Sequence, residues 1–313
     1  MRHPAYHLRT NKAIDRFMLL EALRHLVQPN DQRKYTYYGF GGPYLEDFRL
    51  VHENFPRMHL VSLESDPETY KRQKFHAPCR KIRLVPLDFR SFLARYDSRD
   101  RKSIFWLDYT GLEYSQVEDF MSLLGKVARG SVIKVTLRAE PSDFLQEEQE
   151  DDFKEKFAAV LPSSDVAVPH ESERLACLLQ DIMRIAAQQA LPSAMGVVYQ
   201  PISSFYYKDG DGIFTLAGAV CARDGLARAR ALFSDWPFAN LDWGKPRRID
   251  VPFLSTKERL HLQRHLPCAR DAGSRLHDVL KYSIDDDRES ALGKMAQYAD
   301  FYNYYPYFMK AIP

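Results

Sequence analysis

Carboxylates stand at the ends of three apolar runs: Glu64 closes Met58–Glu64, Asp88 follows Lys81–Leu87, and Asp108 closes Ser103–Asp108. A carboxylate so placed can accept hydrogen bonds from both hydroxyls of a ribose, or it can cap the helix that follows. A further run, Tyr35 to Phe40, enters Gly39-Phe40-Gly41-Gly42-Pro43, where glycines let the backbone approach a ligand closely. Lys134 interrupts Ser131-Val132-Ile133-Lys134-Val135-Thr136-Leu137, which otherwise reads as buried strand. An ammonium in such surroundings needs a partner or a shifted proton affinity. Two readings of it stand. Beside a second cation such as Lys12 it is an amine that takes a proton from a nucleophile. Otherwise Lys134 snorkels from a strand tip and Lys12 is surface.

These residues need elements to hold them. Apolar spacing predicts a helix over Asn11–Val27 ended by Pro29-Asn30-Asp31, then a strand, the glycine turn and a helix over Tyr44–Asn54. Pro67 opens the next helix. Glu113–Ala128 is helical, and Gly130 precedes the strand that carries Lys134. Strand–helix alternation with near-continuous apolar strands argues a parallel sheet covered on both faces. Helices are expected over Ser142–Val160, strongly acidic, and about His170–Ala190. Met195–Tyr207 and Ile213–Cys221 flank Lys208-Asp209-Gly210-Asp211-Gly212, a hairpin signal. Trp236–Val251 reads as loop, Ser255-Thr256-Lys257-Glu258 as a capping box, and Ala272–Tyr282 and Arg288–Phe301 as helices. The aromatic tail (Tyr298, Phe301, Tyr302, Tyr304, Tyr305, Tyr307, Phe308) is expected to dock as core.

Composition narrows the class. With 313 residues, 45% hydrophobic and 27% charged, the chain can bury one large α/β domain and a smaller appendage. A formal charge of +2 gives no global field for nucleic acid or membrane, so such a partner must use a local patch. Lys71, Arg72, Lys74, Arg80, Lys81 and Arg83 form one basic stretch without an acid, either a solvated face or a phosphate-contacting patch. Four dispersed cysteines suggest neither disulfides nor a metal site, and a polar N-terminus without a signal-peptide core leads us to expect the cytoplasm and no membrane partner. There is no GxSxG, Walker loop or HExxH, which removes common hydrolase and NTPase readings.

The glycine turn, the successive strand-end acids and the closing hairpin together resemble the class I S-adenosylmethionine-dependent methyltransferase superfamily, over about residues 11–222. The resemblance implies an α/β fold, a Rossmann-like seven-stranded, mostly parallel sheet with an antiparallel final hairpin, followed by a helical C-terminal extension. It divides the chain into a methyltransferase-like domain, 1–222, and an extension, 223–313, packed on it. It implies S-adenosylmethionine as cofactor, held by Gly39, Gly41, Gly42, Glu64 and Asp88, with Asp108 and Tyr109 facing the acceptor and no metal. Lys12, Asp108 and Lys134 resemble three parts of the Lys-Asp-Lys-Glu tetrad of ribose 2′-O-methyltransferases, which makes an RNA ribose one acceptor. Two departures stand out: Tyr37 and Tyr38 occupy the place of the usual acid before the glycine turn, and the final strands offer Ser203, Ser204 and Tyr206 rather than a glutamate. Transfer to oxygen is expected ahead of nitrogen, because Asp108-Tyr109-Thr110-Gly111 stands where an Asn/Asp-Pro-Pro-Tyr motif would serve methylation of base amines. The alternative is a non-catalytic nucleotide-binding or regulatory protein with this fold.

Overall fold

The computed structural model describes residues 9–98, 101–268 and 271–306. Contacts divide them into two compact units. The larger comprises residues 19–206 and 211–247, and the smaller draws on residues up to 18, on 207–210 and on those from 248 onward.

The sheet has the strand order β3-β2-β1-β4-β5-β7-β6-β8, and all of it except residues 207–209 and 248–249 belongs to the larger unit. Strands β1 (Tyr35–Gly39), β2 (His59–Leu63), β3 (Ile82–Val85), β4 (Lys102–Asp108) and β5 (Val132–Arg138) run parallel. β7 (Asp211–Ala222) lies antiparallel beside β5 and is joined through Gly210, at φ +110°, to β6 (Val197–Asp209). The expected seven strands are present. A short eighth, β8 (Arg247–Ile249), lies where loop was expected.

Pairing register fixes which side chain faces where. Phe105 pairs with Ile133 and Leu107 with Val135, and these four form one core with Val117 and Phe120 of α5 (Tyr114–Leu124) and Leu175, Leu179 and Ile182 of α7 (Ser172–Ala190). Side chains alternate along a strand, so Trp106, Lys134 and Thr136 project from the opposite face. The helices α2 (Glu46–Asn54) and α3 (Pro67–His76) lie between β1, β2 and β3 in the chain.

Several elements differ from expectation. The helix expected over Ser142–Val160 begins as a turn of 3₁₀ helix at Pro141–Phe144, and α6 covers Glu147–Phe157 with a capping box between Gln146 and Gln149. Two helices were not foreseen: α4 (Phe89–Arg95) and α8 (Leu226–Ala231). Nor do the units divide at 222/223. Gln180 donates to the Trp243 carbonyl at 3.0 Å, Gln200 to that of Leu241 at 2.7 Å, and Asn240 to the Ser204 hydroxyl at 2.7 Å, which ties residues 223–247 to the sheet unit.

The smaller unit takes residues 10–18 of α1 (Thr10–Leu26) together with α9 (Thr256–Gln263), α10 (Ala272–Leu280) and α11 (Arg288–Phe301). The capping box read in the sequence is formed: the Ser255 hydroxyl accepts from the Glu258 N–H, and the Glu258 carboxylate accepts from the Ser255 N–H. Tyr298, Phe301 and Tyr305 are buried, and the Tyr305 hydroxyl donates to the Pro252 carbonyl at 3.0 Å. Tyr307 and Phe308 of the expected aromatic tail lie outside the described residues. Among the described residues, no helix is long and apolar enough to cross a membrane.

Candidate active site

Because β1 to β5 are parallel, their carboxyl ends share one edge, and the strand order reverses between β1 and β4. That reversal opens a crevice in which open α/β sheets bind ligands. The glycine turn, Glu64, Asp88 and Asp108 follow or close β1, β2, β3 and β4, so the fold brings all four to this edge. All four stand at strand ends, and the bonds made there differ from one carboxylate to the next.

The turn after β1 is built from unusual backbone. Gly41 has φ +68° and Gly42 φ +51°, and Leu45 also adopts φ 54° before α2 begins. A Cβ on Gly41 would meet Leu45 Cδ2 and Ser62 Oγ at 2.6 Å each, so no larger residue fits there. A Cβ on Gly42 would meet nothing within 4 Å, which leaves that stretch of backbone open to a ligand. The turn's carbonyls are committed to the protein: fully buried Gln73 of α3 donates to those of Phe40 and Gly42 at 2.9 Å each, and accepts from the Ser62 hydroxyl at 3.0 Å. Asp47 of α2 accepts from the Tyr37 hydroxyl at 2.6 Å, and one of its oxygens lies 3.3 Å from where a Gly39 Cβ would stand. A carboxylate thus reaches the turn from the helix, although none precedes it in the strand.

Gln73, Ser62 and Asp47 escaped the sequence reading. Ser62 carried a signal, a polar residue inside the run Leu60-Val61-Ser62-Leu63. Gln73 and Asp47 carried none, because each sits in a polar helical stretch.

Glu64 accepts from the Asp66 N–H at 2.8 Å, which curls the loop toward α3; Asp66 in turn caps that helix through the Thr69 N–H at 2.7 Å. Asp88 uses both oxygens on α4, accepting the Ser91 N–H at 2.9 Å and the Ser91 hydroxyl at 2.6 Å. Those bonds hold its carboxyl below the usual range. It acts as a helix cap in this structure, the other role open to a strand-end acid.

Asp108 and Tyr109 part company at the end of β4. The Tyr109 hydroxyl donates to Asp119 at 2.9 Å, and the Arg90 guanidinium donates to the other oxygen of that carboxylate at 2.8 Å. Burial, and then the negative charge of Asp119, push the Tyr109 phenol far above its ordinary value. It is a neutral donor on the α5 side, beside Phe40 at 5.4 Å between ring centroids. Asp108 pairs in register with Thr136, so its side chain shares the face of Trp106 and Lys134.

On that face Gly39, Trp106, Lys134 and Ala217 form one row across β1, β4, β5 and β7. Lys134 is 2% exposed, which removes the strand-tip reading. Its ammonium lies 4.3 Å from the Trp106 ring centroid, and the indole N–H donates to Thr136 Oγ1 at 2.9 Å. A buried cation over indole is held by the ring's quadrupole at roughly 2 kcal/mol. Lys12 belongs to the smaller unit, where its backbone N–H donates to Asp209 at 2.8 Å. Among the described residues no group of three or more histidine, cysteine or acidic side chains is placed to hold a metal ion.

No curated protein sequence matches the chain. The structure is similar to that of a putative transferase from Pyrococcus horikoshii, at 12% identity and a TM-score of 0.37 over 64% of this chain and 62% of that one. The chain therefore spans about three fifths of that protein's length. Others are P. horikoshii TYW2 in complex with MeSAdo (12% identity, TM-score 0.36, 71% of this chain and 65% of that one) and Methanococcus jannaschii fibrillarin, a pre-rRNA processing protein (12%, 0.37, 62% and 69%). At the level of sequence families the match runs over nearly the whole length: the model described as putative O-methyltransferase covers residues 4–313, and the chain belongs to that family.

Proposed function

We propose that the chain transfers the methyl group of S-adenosylmethionine to a hydroxyl oxygen. The observation that carries this is the gathering of an open glycine turn, Glu64 and Asp108 at the carboxyl ends of adjacent parallel strands, in a member of an O-methyltransferase family. The residues fit the cofactor. Gly42 leaves open space for it beside the turn, and Glu64 follows β2 one strand away, where a carboxylate accepts ribose hydroxyls. S-adenosylmethionine supplies an electrophilic methyl carbon on a sulfonium, so the transfer is an in-line displacement that depends mainly on positioning.

What remains for the protein is the acceptor's proton. Lys134, fixed over Trp106 on the face that Asp108 shares, is assigned that task, which requires it to give up the proton that the indole face favours, with Asp108 beside the acceptor. Tyr109 drops out as a base, since its hydroxyl is spent on Asp119. A ribose hydroxyl is one acceptor this chemistry suits. The reaction is placed in the cytoplasm, because four dispersed cysteines suit a reducing compartment. A module that binds the cofactor without turnover is the second reading, favoured by the commitment of Asp88 and Tyr109 to structural bonds.

Calorimetric titration with S-adenosylmethionine tests the proposal. The wild type is expected to bind, and Glu64→Ala to lose roughly 1.5–3 kcal/mol for each charge-assisted hydrogen bond removed. Equal affinities would remove Glu64 from the site, and no binding by the wild type would sink the cofactor assignment.

A further inference from the structure

Tyr44 follows the glycine turn by two residues and begins a run of rings and cations that leads away from it along α3. The Arg72 guanidinium lies 5.0 Å from the Tyr44 ring centroid and donates to its hydroxyl at 2.7 Å. Tyr44 meets His76 edge to face at 5.0 Å, and His76 meets Phe75 in the same way at 5.1 Å. Phe75 itself is 85% exposed. Lys74 is exposed beside it, its ammonium 4.4 Å from the Tyr70 ring. Beyond the helix, Arg80, Lys81 and Arg83 are exposed around β3, the edge strand of the sheet.

No acid occurs between residues 71 and 83. Among the described residues, only Lys71 of these cations is paired with a carboxylate, that of Glu68 at 2.7 Å. One exposed phenylalanine needs no explanation by itself. Set among cations without carboxylates, and joined through edge-to-face rings to the glycine turn, it has the composition of a surface that stacks a base and lines up phosphates. The cations are strung along a helix and a sheet edge rather than converging on one point, which suits a polyanion better than a single phosphate. A membrane surface fits less well: the buried residues of α3 are Thr69 and Gln73, and the helix has no apolar stripe to insert.

We propose that this surface binds single-stranded RNA and presents one of its hydroxyls at the neighbouring edge of the sheet. The second half rests on the methyltransferase reading; the binding half does not. Fluorescence anisotropy with a labelled single-stranded RNA of about 20 nucleotides, longer than the roughly 4–16 that one such surface covers, tests it. The wild type is expected to bind, more weakly as salt rises. Arg80→Glu with Arg83→Glu should weaken binding at least tenfold, and Phe75→Ala by roughly 5- to 150-fold, the loss of one stacked base. All three positions are exposed, and unchanged melting temperatures will show that the variants fold.

No binding by the wild type at low salt overturns the proposal, as does equal binding by the wild type and both variants. So does a loss confined to phosphatidylglycerol vesicles, which would make the patch a membrane contact. A DNA strand of the same sequence separates two sources of the same chemistry: tighter RNA supports the proposal and tighter DNA overturns it. Titration with S-adenosylmethionine runs alongside. A chain that binds RNA but not the cofactor keeps this inference and loses the methyltransferase reading, and the opposite result does the reverse.

Discussion

Lys134 shows how a single residue can stand out in sequence against its neighbours. A lysine within an apolar strand is conspicuous because an ammonium away from water needs compensation, and the structure supplies an indole ring. The strand-end acids were conspicuous for the same reason, yet their roles were not legible. Asp88-Phe89-Arg90-Ser91 holds an acid three residues before a serine, and only the short helix behind it makes that spacing a cap. Gln73 could not have been found from sequence at all, since its importance arises from two carbonyls more than thirty residues away in the chain. At this scale we expect Lys134→Met, which keeps the stem and removes the charge, to spare cofactor affinity while lowering turnover on the order of 100- to 10,000-fold. A variant that turns over like the wild type would move acceptor activation to another residue. One that melts far lower would mean that the lysine serves the core.

The elements were more legible than the residues. Apolar periodicity located β1 to β7 and most of the helices to within a few residues, because a strand buried on both faces leaves a continuous apolar run. Short helices were lost: α4 spans seven residues and α8 six, too few for a 3.6-residue pattern to repeat clearly. At the start of α11, Asp285 accepts from the Ser290 hydroxyl at 2.8 Å and pairs with the Lys294 ammonium. The Lys294 and Ser290 bonds hold its carboxyl down at about 2, against an ordinary value of 3.8. A carboxyl with a depressed folded value stabilises above its unfolded value and loses that contribution as pH falls toward the folded one. Asp285→Asn should therefore melt below the wild type at pH 7 and converge with it by about pH 2. A melting deficit of the same size at both pH values would show that the charge is irrelevant there.

For the whole molecule, the sequence conveyed the α/β fold, and contacts divide the chain elsewhere than at 222/223. The extension was expected to begin at 223 because the hairpin ends there and proline and glycine follow. The side chains of Gln180, Gln200 and Asn240, each one unremarkable in sequence, tie that segment to α7 and β6, and contacts group it with the sheet unit up to residue 247. Limited proteolysis is expected to leave residues 223–247 uncut while the sheet unit stays folded. Early release of a stable fragment ending within that stretch would contradict the hydrogen bonding described above.

The smaller unit is assembled from both ends of the chain, and this bears on the order of events during synthesis. Asn11 donates to the Lys208 carbonyl and to Asp209, and its side-chain oxygen accepts from the Val251 N–H, a separation of 240 residues. A ribosome makes Val251 240 residues after Asn11, so the beginning of α1 must wait, without these partners, while the sheet is translated. Contacts so distant in sequence close slowly, because the loop entropy comes due before the contact forms. Removing either the first helical turn or the final helices therefore strips partners from the same small unit, and the two truncations should resemble each other in effect.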